Sequence, residues 1–453
     1  MRSSLLTYAF SVAGIVLAQE SSLNSELGFC GSPLIGSTFW NPICAGDRQG
    51  LTVVAGSGDF QENIHRAANK PAEVVLSADG ILAGSPWSHK PRCLRFENAT
   101  EKYCLYTSPT FAQDRGVTLF TTPEHKDLFL QLPAFTNPDV TQDANREPNP
   151  PYESRQLPGR GVGLIANRTL HRGDHIFSTT PVFVLHGDIY ETFADEDRFP
   201  FQTDGINRLP DGAKKKFLDL CGHFGTDKVD DIINTNSFAV DLFGEEDDET
   251  NYNVVMPEIS RLNHDCRPNA HYHFDPLTLT QHVHALRTIM PGEELTISYL
   301  DPAQTREERL KALRASWGFA CSCSLCTQPT AQAKASDERI KYTLDLIEEL
   351  EDYSADSLAT PQMAEAVISM YEQERLYGPI AEVYKLAAVE FNGVGEIWPA
   401  VKYAKLAIEA GILYGGPYDK DVKDMEQLVK EPQMHWSHLL RMEKRMERNM
   451  QQE

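Results

Sequence analysis

Three cysteines within six residues, Cys321-Ser-Cys323-Ser-Leu-Cys326, constrain this 453-residue chain more than any other feature. Three thiolates on one tight loop are one short of the four that a structural zinc requires. Cys266 is the obvious fourth donor, so a zinc site built this way ties two separated segments together. The competing arrangement is disulfide pairing among the same cysteines, although Cys-x-Cys spacing is too close for an easy bridge.

The other cysteines tell a different story. Cys30, Cys44, Cys93 and Cys104 form an even set that suits an oxidising compartment. Cys93 and Cys104 lie symmetrically about Asn98-Ala99, so a hairpin turning there brings their sulfurs across from each other and displays the sequon Asn98-Ala99-Thr100 at its tip. Arg2, the apolar run Leu5 to Leu17 and the small-residue step at Ala18 read as a secretory leader over residues 1–18. The alternative is a buried N-terminal element. Cys221 is left over, and its default reading is a buried free thiol.

About two-fifths of the chain is hydrophobic, and its length suggests two or three domains. The net charge of −23 argues against direct nucleic-acid binding. Acidity either helps to gather a basic substrate or only maintains solubility. No segment is apolar for long enough to span a bilayer.

Residues 19–136 read as a β-rich N-terminal region with disulfides, carrying strand signals at Leu51–Val54, Glu73–Leu76 and Val117–Phe120. The polar, proline-rich stretch 137–152 reads as a linker. A compact β-rich domain over 153–300 follows. Gly163–Ala166 and His175–Phe177 flank a turn, and a helical insertion at about 205–250 places Phe217, Leu218 and Cys221, then Val229, Ile232 and Ile233, at helical spacing. The acidic run Glu245–Glu249 closes the insertion as a solvated loop, and strand signals return from Ala270 to Tyr299. Residues 301–327 hold the cysteine loop. From 336 to 453 the chain reads as helical: Ser336 starts a helix with Ile340, Leu344, Ile347 and Leu350 on one face. Two helical stretches from Ile380 to Gly411, broken at Asn392–Gly395, place Ala387, Tyr403, Ala404 and Ala407 where helical hairpins pack. This fits one tetratricopeptide-like unit or an ordinary bundle.

Three segments carry the chemistry. Gly159-Arg-Gly-Val-Gly-Leu-Ile-Ala166 offers glycines that let the backbone approach a ligand. Arg261-Leu-Asn-His-Asp-Cys-Arg-Pro-Asn-Ala270 groups an amide, an imidazole and a thiol. Gly292-Glu-Glu-Leu-Thr-Ile-Ser-Tyr299 precedes Trp317-Gly-Phe-Ala-Cys321 and the remaining cysteines. The first two alone have a structural reading as turns, and the cysteines after the third have one as disulfides. In this order, over about 153–327, they resemble a SET domain, with the SET-and-MYND group and fungal proteins similar to it as nearest kin. The MYND finger is missing, because Val184 to Phe238 contains only Cys221.

The resemblance implies an α+β chain: a β-rich SET fold (a β-clip with a pseudoknot), a post-SET zinc loop, a β-rich N-terminal region and an α-helical, tetratricopeptide-like C-terminal region. It implies S-adenosylmethionine as methyl donor. Gly161, Val162 and Gly163 would line the donor pocket, Asn263 and His264 would hold its adenosine and amino-acid parts, and Phe319 would pack on the adenine. Tyr299 would be the catalytic tyrosine and a further wall of the donor site. Cys266, Cys321, Cys323 and Cys326 would hold structural zinc. The expected activity is protein-lysine N-methylation of a lysine-containing protein or peptide, with a further protein partner on the helical tail. The alternative is a secreted SET scaffold that binds without turnover, or an interaction protein acting through the tail. The leader places the chain in the secretory route; if it is not used, nucleus or cytoplasm is expected. The second sequon, Asn167-Arg-Thr169, lies beside the donor pocket and is expected to stay unmodified if the domain is active.

Overall fold

The computed structural model describes residues 72–76, 85–96, 101–146, 148–243 and 251–451. The leader, Cys30, Cys44, the strand signal Leu51–Val54, the Asn98 sequon and the acidic run Glu245–Glu249 lie outside them.

The strands are β1 (Ala72–Leu76), β2 (Arg92–Phe96), β3 (Tyr103–Ser108), β4 (Val117–Thr121), β5 (Tyr152–Leu157), β6 (Gly161–Ala166), β7 (His175–Thr179), β8 (Phe183–His186), β9 (Ser237–Asp241), β10 (Asn251–Val255), β11 (Asn263–His264), β12 (Ala270–Asp275), β13 (Thr280–Ala285) and β14 (Glu294–Ile297). They form a seven-stranded sheet in the order β1-β2-β3-β4-β8-β10-β9, a four-stranded sheet β11-β14-β6-β5 and a three-stranded sheet β12-β13-β7. The largest sheet ignores the boundary drawn at 136–153: β4 pairs in parallel with β8, so the described N-terminal strands and three strands of the β-rich domain share one ladder. The residues of β3 and β4 are buried throughout, which accounts for the unbroken run of the strand signal Val117–Phe120. Cys93 and Cys104 face each other across β2 and β3 and form a disulfide.

The stretch 137–152 is not a bare linker. It begins with a 3-10 turn at Pro138–Thr141, and Asn145 then locks onto the end of β7: its backbone N–H donates to Ser178 O at 2.8 Å and its Oδ1 accepts from Thr180 N at 2.9 Å. Polar residues read as linker because their hydrogen bonds to a distant strand leave no periodic signature.

The longer helices are α1 (Pro123–Phe129), α2 (Asp195–Asn207), α3 (Asp211–Leu218), α4 (Lys228–Asn236), α5 (Arg306–Trp317), α6 (Thr330–Glu351), α7 (Pro361–Glu374), α8 (Ile380–Gly393), α9 (Ile397–Tyr414), α10 (Lys420–Lys430) and α11 (Leu440–Gln451). The helical insertion starts earlier than its expected bound, at α2, and ends earlier, since Ser237–Asp241 is strand β9 paired with β10. Phe217, Val229, Ile232 and Ile233 are buried as expected, but Cys221 is exposed, contrary to the default reading. Helix α6 starts at Thr330, six residues before Ser336. Pro329 precedes it, and the Ser336 hydroxyl sits inside the helix, donating to Glu374 Oε2 at 2.7 Å. The hairpin of α8 and α9 breaks at Val394–Glu396, with Phe391 and Tyr403 rings stacked 5.5 Å apart.

The helical tail is fastened to the β-rich part by a buried ion pair. Arg267 Nη2 lies 3.0 Å from Glu374 Oε2, and the same guanidinium donates to Cys266 O and Pro302 O at 2.7 and 2.9 Å. Among the described residues, no helix is long and apolar enough to cross a membrane.

Candidate functional site

The site assembles where β11 runs parallel to β14, with Asn263 beside Thr296 and His264 beside Ile297. Asn269 holds this register from the side. Its Oδ1 accepts from Thr296 N at 2.9 Å and its Nδ2 donates to Glu294 O at 2.8 Å. Next to β14 lies β6, pairing Leu295 with Leu164 and bringing the glycine segment alongside.

Gly163 is where β6 meets Asn263. A Cβ there would sit 2.6 Å from Leu157 Cδ1, 2.7 Å from Glu294 Oε1 and 2.9 Å from Asn263 Nδ2, so only glycine fits without displacement. Gly161, by contrast, has φ +70° and open space where its Cβ would stand, leaving its backbone approachable. Val162 lies between them in β6 and is half-buried.

Polar groups join the segments. Asn263 Nδ2 donates to Glu294 Oε1 at 2.7 Å, Arg160 Nε lies 3.1 Å from Glu294 Oε2, and Arg160 Nη2 donates to His264 O at 3.0 Å. Arg160 and Glu294 carried no assigned role in the sequence. Their signal was present as one opposite charge in each of two glycine-containing motifs, but nothing in the sequence pairs them.

Tyr299 packs over this junction. Its backbone N–H donates to His264 Nδ1 at 3.0 Å and its hydroxyl donates to Leu262 O at 2.8 Å. Burial raises the phenol pKa above its ordinary value, so the hydroxyl stays protonated, and burial pushes the His264 imidazole down to about 3, so that ring stays neutral. The Trp317 ring lies 5.3 Å from that of Tyr299, and Phe319 lies 6.2 Å from His264 and 6.5 Å from Tyr299. Both aromatics are delivered by α5. It opens with a reciprocal Thr305–Glu308 cap and stops at Gly318 in the left-handed conformation, which turns the chain from Trp317 to Phe319.

Behind this wall the four cysteines converge. The sulfurs of Cys266, Cys321, Cys323 and Cys326 are all buried and lie within 4.8 Å of one another. Cys266 Sγ is 3.9 Å from that of Cys321 and 3.5 Å from that of Cys326. Four thiolates around a zinc at about 2.3 Å place neighbouring sulfurs about 3.8 Å apart, so the set fits a tetrahedral zinc. The disulfide alternative does not describe these four, which are free thiols, whereas Cys93 and Cys104 are bonded. The Cys326 N–H donates to Cys323 Sγ at 3.4 Å, and His264 Nε2 lies 3.3 Å from Cys266 Sγ.

A model of the SET domain matches residues 161–300. This stretch is a SET domain. Over 301 residues the chain is 26% identical to the histone-lysine N-methyltransferase set5 of Schizosaccharomyces pombe, covering 63% of this chain and 87% of that protein. It is 37% identical over 142 residues to the histone-lysine N-methyltransferase SMYD3 of Homo sapiens, which is 30% of this chain and 32% of that protein. It is 28% identical over 170 residues to the N-lysine methyltransferase SMYD2 of Gallus gallus, or 37% of this chain and 35% of that one. The chain thus spans most of the first relative and about a third of the other two. The SET domain holds every residue of the polar junction except Arg160, while the aromatic wall and three of the four cysteines lie beyond its C-terminal bound.

Proposed function

We propose that this chain is an S-adenosylmethionine-dependent protein-lysine N-methyltransferase. The supporting observation is the meeting of Gly161–Gly163, Asn263, His264, Tyr299 and Phe319 around a single β11–β14 junction. The donor set suits a ligand with an aromatic end and a zwitterionic end: Phe319 offers an aromatic face, while Arg160, Glu294 and Asn263 offer charge and hydrogen bonds of both signs.

When bound, S-adenosylmethionine supplies a sulfonium methyl group to an acceptor amine. Asn263 and the backbone at Gly161 and His264 hold the donor. The Tyr299 hydroxyl, whose proton is committed to Leu262 O, presents its oxygen lone pairs and can accept from an incoming amine N–H. That contact orients the amine for in-line attack. Trp317, Phe319 and Tyr299 exclude water, which favours a lysine in its neutral, nucleophilic form. The four cysteines hold zinc and so fix the position of Phe319. The net charge of −23 suits a basic, lysine-rich protein segment as acceptor. The buried Cys93–Cys104 bridge supports passage through an oxidising compartment and hence use of the leader. The α8–α9 hairpin supports a tetratricopeptide-like tail that docks a protein partner.

Calorimetric titration of S-adenosylmethionine into the chain lacking residues 1–18 tests the reading. Saturable binding that disappears in an Asn263→Ala, His264→Ala variant is expected, together with transfer of labelled methyl to lysine-containing peptides. A folded, zinc-loaded chain that binds no donor overturns it.

A further inference from the structure

The three-stranded sheet β12-β13-β7 carries an unusual row of imidazoles. His271 and His273 share one face of β12, His282 and His284 share the same face of β13, and the pairing sets His273 opposite His282 and His271 opposite His284. A bulge between Val283 and His284 then brings His175 of β7, rather than the buried Ile176, into line with His284. The ring centroids of His273 lie 5.1 Å from those of His282 and 5.4 Å from those of His284, and His175 lies 5.3 Å from His284.

The rings of β12 and β13 open into a cleft of about 670 Å³ between the sheet and the α9–α10 turn. The turn packs closely on them, since a Cβ on Gly416 would stand 2.8 Å from His273 Cδ2. His271 is committed elsewhere, stacked at 4.3 Å on Tyr414. The Nδ1 atoms of His273 and His284 are buried and find no protein partner. Asp241, Asp275 and Asp419 line the same cleft, together with Lys420.

We propose that His273, His282 and His284 form a second metal site, for a divalent first-row ion of the class that favours imidazole nitrogen, such as Zn²⁺. Nitrogens bonded to one tetrahedral ion at about 2.0–2.1 Å place their ring centroids about 5 Å apart, the spacing that His273 keeps from both His282 and His284. The rings now lie stacked, with the planes of His273 and His284 only 5° from parallel, so coordination turns them about their side-chain bonds toward a common point. Coordination also gives the unpartnered buried nitrogens a partner.

The site differs in chemistry from the cysteine cluster, and this makes it testable in the full, untagged chain loaded with zinc at its thiolates. Co²⁺ titrated into that protein is expected to bind as one further saturable equivalent, with ligand-field absorption and no sulfur-to-cobalt charge-transfer band. His273→Gln combined with His282→Gln, and separately His284→Gln, should weaken this binding by at least about tenfold. Added Zn²⁺ should raise the melting temperature of the parent chain and leave that of the variants unmoved, which separates lost binding from lost folding. Absence of a further equivalent in the folded chain, appearance of the charge-transfer band, or undiminished binding in the variants would each overturn the proposal.

Discussion

Tyr299 donates its backbone N–H to Nδ1 of His264 at 3.0 Å, and that bond decides which ring nitrogen carries a proton. A backbone N–H can only donate, so Nδ1 must be bare and the neutral ring carries its hydrogen on Nε2. That hydrogen points at Cys266 Sγ, 3.3 Å away. One imidazole therefore connects the backbone of the proposed catalytic tyrosine to the proposed zinc thiolates, as outer-shell donors commonly do around metals. His264→Phe keeps an aromatic ring and removes the donor. It should release zinc to a chelator with affinity reduced by about 10–100-fold, measured by competition with a zinc indicator.

Tyr299→Phe removes the hydroxyl that bonds Leu262 O while keeping the ring against Trp317. Turnover should fall by about 10²-fold or more, with donor affinity nearly unchanged. Single-turnover methyl transfer beside calorimetry separates the two, and unaltered turnover would remove Tyr299 from the mechanism.

The two glycines of β6 should respond in different ways. Gly163→Ala forces a methyl against Leu157, Glu294 and Asn263 and should cost about 1–3 kcal/mol together with donor binding. Gly161→Ala meets no atom but strains a residue at φ +70°, for about 1–2 kcal/mol. Urea unfolding and donor titration of both variants check the contrast.

Glu374 accepts from Arg267, Arg339 and Ser336 in the interior between the SET domain and the helical tail. Glu374→Ala leaves the Arg267 guanidinium buried without its carboxylate and should destabilise the chain by about 3–5 kcal/mol. Protease sensitivity in α6 and α7 should rise along with the loss in unfolding free energy.

Burial alone would raise the Glu258 carboxyl, but the Arg115 guanidinium and then Lys216 outweigh it and hold the group well below its ordinary 4.5. Arg115 Nη1 and Lys216 Nζ each approach Glu258 Oε1 to 2.8 Å. A depressed folded pKa contributes stability that is present above about pH 4.5 and is lost as pH falls through the folded value. Glu258→Gln should therefore be less stable than the parent at neutral pH, and the gap should narrow below about pH 4.5, read from urea midpoints across pH.

Much of the SET domain was legible because its residues are local and typed. Gly163, Asn263, His264, Tyr299 and the four cysteines stand in short motifs, and the structure brings them together. What could not be read was pairing across distance. Nothing local marks Arg160 as the partner of Glu294, Asn269 as the clamp on β14, or Asn145 as the anchor on β7. The onset of α6 was misplaced because Ser336, a good cap in isolation, serves instead as a buried donor to Glu374. The imidazole row stayed hidden for a similar reason: alternate histidines on two strands become neighbours only once register and bulge are fixed.

The parallel seam between β4 and β8 bears on how such a protein can be inherited in pieces. A gene fusion or exon loss that replaced everything before residue 153 would keep each motif and still strip β8 of its neighbour, leaving an open edge ready to pair with another chain. Descendants of such an event would have to supply a substitute strand or become oligomers, so the lineage of the N-terminal strands should follow that of the SET domain rather than vary independently.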